Sequence, residues 1–286
     1  MNKLKYSAVG LIAMTLSSAV IADQDVRIIS AGSTSTEIIY ALGIEERLVG
    51  VDLSSRHYID EDSDIPILGY QGQLSPEGLL SLAPDMIIGS DEMGPESTIN
   101  ALRNAGVAIE TVSTGNHAAD LVQRIDEIAT ITGLSSKTET LKKAVNQRFE
   151  ALEQHKPETA PRVLFVMMSE NRPMTVAGDQ TPVNTVIKLA GGINPVEASF
   201  NSYKPMSIEA ILEIQPEYIM LAERTWEAMG GIDGILEKNP LLAATPAGIN
   251  QNFIPVRSAA IISGFGLQSL ELTETLQAHL SSEPNL

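Results

Sequence analysis

Two stretches of the chain are the same unit written 132 residues apart. Gln73-Leu-Ser-Pro-Glu-Gly-Leu-Leu-Ser-Leu-Ala-Pro-Asp-Met-Ile-Ile88 aligns without a gap on Pro205-Met-Ser-Ile-Glu-Ala-Ile-Leu-Glu-Ile-Gln-Pro-Glu-Tyr-Ile-Met220. Ser75 and Ser207 are placed to cap a helix, and Glu77 and Glu209 fall in its first turn. Pro84 and Pro216 stop the helix, and an apolar run follows as a buried strand. A helix that feeds a strand, present twice, points to a duplicated α/β unit: two lobes related by a pseudo-twofold, with a cleft between them.

The surrounding pattern agrees. Strands are predicted at Arg27–Ser30, Leu48–Val51, Met86–Gly89 and Ala108–Val112, then at Arg162–Met167, Tyr218–Leu221 and Asn252–Val256. Helices are predicted over Ser35–Leu42, Leu79–Leu82, Thr181–Leu189 and Gly266–Leu280. Helices between strands imply parallel pairing with both sheet faces covered. From Ser135 to His155 there is neither Gly nor Pro, and Leu141, Val145, Phe149 and Leu152 fall on one face. A helix of that length spans about 32 Å. It reads as a strut between lobes; an ordinary long crossover helix is the other reading. The expected fold class is therefore α/β, with two lobes of mainly parallel sheet joined by a single long helix. The lobes are placed at residues 23–134 and 157–286, with the linking helix at 135–156. Ligands of such sheets bind outside the carboxyl ends of the strands, so the cleft is the expected site.

Residues 1–22 read as an address. Lys3 and Lys5 precede an uncharged, largely apolar stretch that ends in Val20-Ile21-Ala22, a small-residue cleavage site. This is the pattern of a secretory signal peptide, and the expected product is an exported, periplasmic protein without membrane insertion after cleavage. Lys plus Arg number 19 against 36 acidic residues, a net charge of −17, which argues against a nucleic-acid partner. With no Cys in the chain, disulfides, thiolate metal sites and cysteine nucleophiles are excluded. His57, His117, His155 and His279 are scattered without metal-ligand spacing. Gly32-Ser-Thr-Ser-Thr-Glu37 follows a strand and opens a helix, but it lacks the Gly-Lys-Ser/Thr of a phosphate loop and reads as a helix cap. No Gly-x-Ser-x-Gly elbow or other nucleophile–base arrangement is visible, so no enzyme is expected.

Four segments carry a more specific signal: Leu68-Gly-Tyr-Gln-Gly-Gln-Leu-Ser-Pro-Glu-Gly-Leu-Leu-Ser-Leu-Ala-Pro-Asp85, Leu189-Ala-Gly-Gly192, Tyr203-Lys-Pro-Met-Ser-Ile-Glu-Ala210 and Gly264-Phe-Gly-Leu-Gln-Ser-Leu270. They resemble the periplasmic substrate-binding proteins of bacterial ABC importers for iron complexes, heme and cobalamin, and most closely the hemin-binding branch. That resemblance implies heme as the transported ligand and Tyr70 as the axial ligand to its iron, a phenolate on a hard ferric ion. It implies a permease dimer as partner, docked through Glu77 and Glu209, and a monomeric binding protein. Pseudo-symmetry places Tyr203 across the cleft from Tyr70. Arg56, Arg172 and Lys204, in expected strand-to-helix loops, are candidates to meet the heme propionates. The sequence departs from that branch twice. Gly72 stands where relatives commonly carry an arginine two residues after the tyrosine. Met168 stands near the place where some carry a second-ligand histidine, and is the candidate to lie against the porphyrin. A ferric siderophore or cobalamin is the alternative cargo, and an exported α/β enzyme the alternative class.

Overall fold

The computed structural model describes residues 26–168 and 173–281. The signal-peptide reading of residues 1–22 lies outside them, as does Arg172.

The first lobe is built on strands β1 (Ile28–Ala31), β2 (Leu48–Val51), β3 (Met86–Gly89) and β4 (Ala108–Thr111), in spatial order β2-β1-β3-β4 and all parallel. β1 is buried at every position, as a central parallel strand with helices on both faces must be. The second lobe has β5 (Val163–Met167), β6 (Thr175–Ala177), β7 (Tyr203–Pro205), β8 (Tyr218–Ala222) and β9 (Phe253–Val256), in order β7-β6-β5-β8-β9. There β5, β8 and β9 are parallel, while β6 and β7 run antiparallel on one edge. That antiparallel pair is absent from the sequence expectation. Each strand is a tripeptide, too short to show a period, and Tyr203 reads in the sequence as the opening of the second repeat. The two repeat helices form at Pro76–Leu80 and Ile208–Ile214, each with its serine hydroxyl accepting from the amide three residues on.

The long helix runs over Ser135–Gln154. Val145 and Leu152 are buried on its inner face. Its polar face is pinned at two points along its middle. Lys142 Nζ donates to both oxygens of Asp126 at 2.9 Å, and Arg148 forms a bidentate pair with Glu274 at 2.7 Å. The fork geometry makes the second the stronger of the two.

The strut is not the only tie between the lobes. The closing helix, Leu267–Ser281, packs on the second lobe's helix Pro182–Leu189 and on the strut, yet its first turn belongs to the first lobe. Glu37, on the helix Ser33–Ala41, accepts from Leu267 N at 2.5 Å and Gln268 N at 3.1 Å, and from the Tyr58 hydroxyl at 3.1 Å. The Glu37 carboxyl oxygens thus cap the closing helix across the lobe boundary. Gly266 is required there because a Cβ would run into Glu37 Oε1. The fully buried Arg124 reinforces the joint, donating to the carbonyls of Phe265 at 2.9 Å, Gly115 at 3.4 Å and Ser113. Thr34 Oγ1 donates to Ser263 O at 2.8 Å. One hydrophobic core accordingly runs through both lobes, from Ile28 and Ile88 to Val163, Phe165 and Phe265.

Burial raises the Glu37 carboxyl from 4.5 to about 7, against the opposing pull of the two backbone amides, Tyr58 and Arg124. The folded state therefore holds a proton that the unfolded chain has released. Its contribution is complete below pH 4.5 and disappears as pH rises through about 7. By this linkage, wild-type unfolding free energy, measured in urea, falls by about 2.5 kcal/mol relative to Glu37→Gln between pH 5 and 8. A wild-type-minus-variant difference that stays constant with pH contradicts the assignment.

Candidate functional site

The loops that follow the carboxyl ends of the strands meet between the lobes and enclose two adjoining cavities. One, of about 460 Å³, is lined by Tyr70, Glu92, Met167, Tyr203, Ile262 and Ser263, among others. The next, of about 980 Å³, is lined by Leu53, Arg56, His57, Ile67, Arg224 and Arg257, with others. Ser258 and Ile262 border both, so the two form one cleft with residues from each lobe.

Tyr70 is held by its backbone neighbours rather than by its ring. Leu53 N donates to Gly69 O, Gln73 N donates to Tyr70 O at 2.8 Å, and Gly94 N donates to Gln71 O at 2.9 Å. The wholly buried Gln71 donates through Nε2 to Glu92 Oε2 at 2.7 Å. The tyrosine next to this anchor is left 46 % exposed, its ring open to a ligand. At Gly72 a Cβ would lie 3.7 Å from Tyr70 Cε1 and 3.5 Å from Glu92 O, in ordinary contact. A side chain at 72 therefore fits, and would lie along the Tyr70 ring. Tyr203 lines the same cavity from the edge strand β7. Burial pushes its hydroxyl up to about 12, so it serves as a neutral hydrogen-bonding group.

Arg56 and His57 ride on a short 3-10 turn, Leu53–Tyr58, organised by a buried carboxylate. Asp52 accepts from Gly32 N at 3.0 Å, from Ser54 N at 3.1 Å and from the Ser55 hydroxyl at 2.7 Å. The helix start is thus held from the neighbouring turn, by Asp52 on the Gly32 amide and Ser54 on the Ser33 amide, and the Gly32–Glu37 stretch supplies no side-chain cap of its own. The ring of His57 meets Gln268 Nε2 at 2.6 Å, and burial, with Arg257 nearby, lowers its pKa.

Two expected contacts are corrected. Met168 is 7 % exposed and packs in the second lobe's core with Leu164, Val166 and Val176; Met167, 38 % exposed, lines the cleft instead. Successive side chains along an extended strand point to opposite sides, so a shift of one residue exchanges core for cleft. Lys204 is exposed on β7 and lines neither cavity; its neighbour Tyr203 takes the cleft-facing position. Glu77 and Glu209 both stand exposed at the starts of the matched helices. Each carboxyl is held below its usual range by its own backbone amide, then by Ser75 or Ser207. Arg224 and Arg257 were missed, although the rule that selects Arg56 selects them too. Arg224 lies just past the end of β8 and Arg257 directly after β9. Among the described residues no group of His, Asp and Glu is arranged to hold a metal ion on its own.

Two α/β lobes tied by a strut, with a preformed cleft at the strand ends, define a ligand-capturing protein. The chain belongs to the periplasmic binding protein family, whose model matches residues 28–260. Its fold superposes with a TM-score of 0.86 on the periplasmic heme-binding protein HutB of Vibrio cholerae, at 40 % identity over 90 % of this chain and 99 % of that one. The apo form of the periplasmic heme-binding protein RhuT from Roseiflexus sp. RS-1 gives 0.83 at 32 % identity, over 90 % and 98 %. A vitamin B12-binding protein of Vibrio campbellii (strain ATCC BAA-1116) is 31 % identical over 203 residues, 69 % of this chain and 70 % of that protein. The family and these neighbours are substrate-binding proteins, not enzymes.

The methionine exchange has a direct consequence for stability. Met168→Ala is expected to cost about 2–5 kcal/mol in urea unfolding, whereas Met167→Ala stays within about 0.5 kcal/mol of wild type. Equal costs contradict the placement of the two side chains.

Proposed function

We propose that this chain captures ferric heme in the interlobe cleft and delivers it to an inner-membrane ABC permease, with Tyr70 as the axial ligand. The observation that carries the reading is Tyr70 itself: an exposed phenol on an anchored loop, lining a cavity between lobes, in a fold shared with a periplasmic heme-binding protein at 40 % identity. Ferric iron is a hard acid and phenolate a hard anionic oxygen donor. Tyr203, Met167 and Ile262 supply a hydrogen-bonding and apolar wall for a macrocycle. Arg56 is retained as a propionate partner. Cobalamin is the second reading, favoured by the vitamin B12-binding relative.

Residues 1–22 serve in this reading as the export signal, and the mature protein is a periplasmic monomer. No helix among the described residues is long and apolar enough to cross a membrane. Glu77 and Glu209, one on each lobe, are the docking acids for the two permease subunits, where paired charges set orientation and encounter rate.

A ferric heme titration of wild type gives a saturable, tyrosinate-type high-spin spectrum. Tyr70→Phe loses that spectrum and weakens binding by at least about tenfold. An unchanged spectrum in the variant removes Tyr70 from the iron. Gly72→Arg places a cation along the Tyr70 ring and shifts acid-induced heme loss to lower pH; an unshifted or raised midpoint contradicts the role given to that position.

Glu77→Gln with Glu209→Gln leaves the heme spectrum intact and slows delivery to the reconstituted permease by about tenfold at low ionic strength. Undiminished delivery excludes these acids from docking.

A further inference from the structure

An unbroken chain of side chains leads from the wall of the larger cavity to the joint between the lobes. His57 and Gln268 line that cavity, one from the 3-10 turn Leu53–Tyr58 of the first lobe and the other from the closing helix. Gln268 Nε2 stands 2.6 Å from His57 Nε2 and 2.6 Å from the Tyr58 hydroxyl oxygen. The Tyr58 hydroxyl stands 3.1 Å from Glu37 Oε2, inside the joint.

This chain has a direction. An amide nitrogen only donates, and a hydroxyl carries one hydrogen. As arranged, Gln268 gives one hydrogen to His57 and one to Tyr58, and Tyr58 gives its own to Glu37. His57 accepts at Nε2, so its hydrogen sits on Nδ1 and the ring is neutral. Glu37 receives the amides of Leu267 and Gln268 and the Tyr58 hydroxyl, which is the hydrogen bonding of an ionised carboxylate.

A proton on Glu37 reverses every link. The two backbone amides cannot accept it, so the new hydrogen goes to the Tyr58 oxygen. Tyr58 must then give its own hydrogen to Gln268, which takes it only by turning its amide over to present Oε1. The turned amide presents the same oxygen to His57, because one atom faces both partners. His57 Nε2 must now carry a hydrogen. The ring also donates to the Ser54 backbone, and only the imidazolium keeps both bonds.

We propose that Gln268 ties the proton at the cleft wall to the proton in the joint: His57 and Glu37 change charge together, taking two protons from solvent on acidification and returning two on the way back, as the amide turns over. The charges around the chain come from both lobes. Arg124, on the helix Ala118–Ile131, acts on Glu37, and Glu271, on the closing helix, acts on Tyr58. Arg257 and Asp52 act on His57, and Glu223, Arg224 and Glu227 line its cavity from the second lobe. Tyr40 stacks on the Tyr58 ring. Burial, then Glu37, raise Tyr58, so its hydroxyl keeps a hydrogen throughout. Burial raises Glu37 to about 7 and lowers His57, so without the chain the two titrate apart. With it, His57 is drawn up toward Glu37. On the acid side the cleft wall gains a cation and the joint holds a neutral carboxyl. A cargo that takes the Gln268 amide or the His57 edge for itself interrupts the chain, so the joint senses an occupied cleft whichever cargo fills it.

The test is NMR of the full, cargo-free chain, following His57 Nε2 and the Glu37 carboxyl carbon between about pH 5 and 8.5. His57→Gln assigns the imidazole among the four histidines. In wild type, His57 Nε2 is expected to change from acceptor to donor with a midpoint within about half a pH unit of that of Glu37. In Gln268→Leu the His57 midpoint is expected to fall by at least about one pH unit and to part from Glu37. Tyr58→Phe, which removes the middle link and keeps the ring, is expected to do the same. Wild-type midpoints farther apart than that overturn the proposal, as does a His57 midpoint that neither variant moves. The wild-type comparison stands even if a variant does not fold.

Discussion

The cap that Glu37 places on the closing helix holds the two lobes at a fixed spacing. Without it the strut would be a single tether, and a single helix can pivot at its ends. With it, the chain is tied twice: once through the strut pinned by Arg148 and Asp126, and once through a helix that lies on the second lobe but begins in the first lobe's hydrogen bonds. Arg124 fastens the turn before that helix from the other side. The cleft is therefore built in by the chain's own joints, with the loops after the strands facing one another across it. The cost is a carboxyl buried beside a guanidinium, offset by several hydrogen bonds from fixed donors.

The preformed cleft explains the distribution of charge. The surface is strongly acidic, which favours solubility and free diffusion. Three arginines without an ion pair among the described residues, Arg56, Arg224 and Arg257, line the cleft from both lobes. Tyr70 and Tyr203 share a wall but not a role. The first is exposed on an anchored loop and free to bond to a cargo, while the second is half-buried and kept protonated. Gly72 leaves open the space beside Tyr70 that a longer side chain would fill.

Much of this was legible in the chain. The repeat predicted two lobes, and seven of the nine strands among the described residues appear where hydrophobic runs bounded by turns placed them. The strut was visible because an uninterrupted helical period leaves a long signature. The edge strands β6 and β7 were not, since three residues carry no period and are made strands by pairing alone. Tyr70 was singled out by the motif around it, not by its own chemistry. Met168 was chosen over Met167 because a sequence does not show on which residue a strand ends and which way its last side chain turns. Arg224 and Arg257 went unnoticed for a different reason. In a list of charges an unpaired arginine looks like a paired one, and only the fold shows which have no partner. The joint at Glu37 was hidden in the same way, because its partners lie 230 residues on.

A crystal structure of the protein with ferric heme tests the account most directly. Iron bonded to the Tyr70 hydroxyl oxygen is expected, in lobes that superpose on the arrangement described above within about 1 Å. Heme bound through another residue, a macrocycle seated outside the interlobe cleft, or lobes that rotate apart at the Glu37 joint would contradict it.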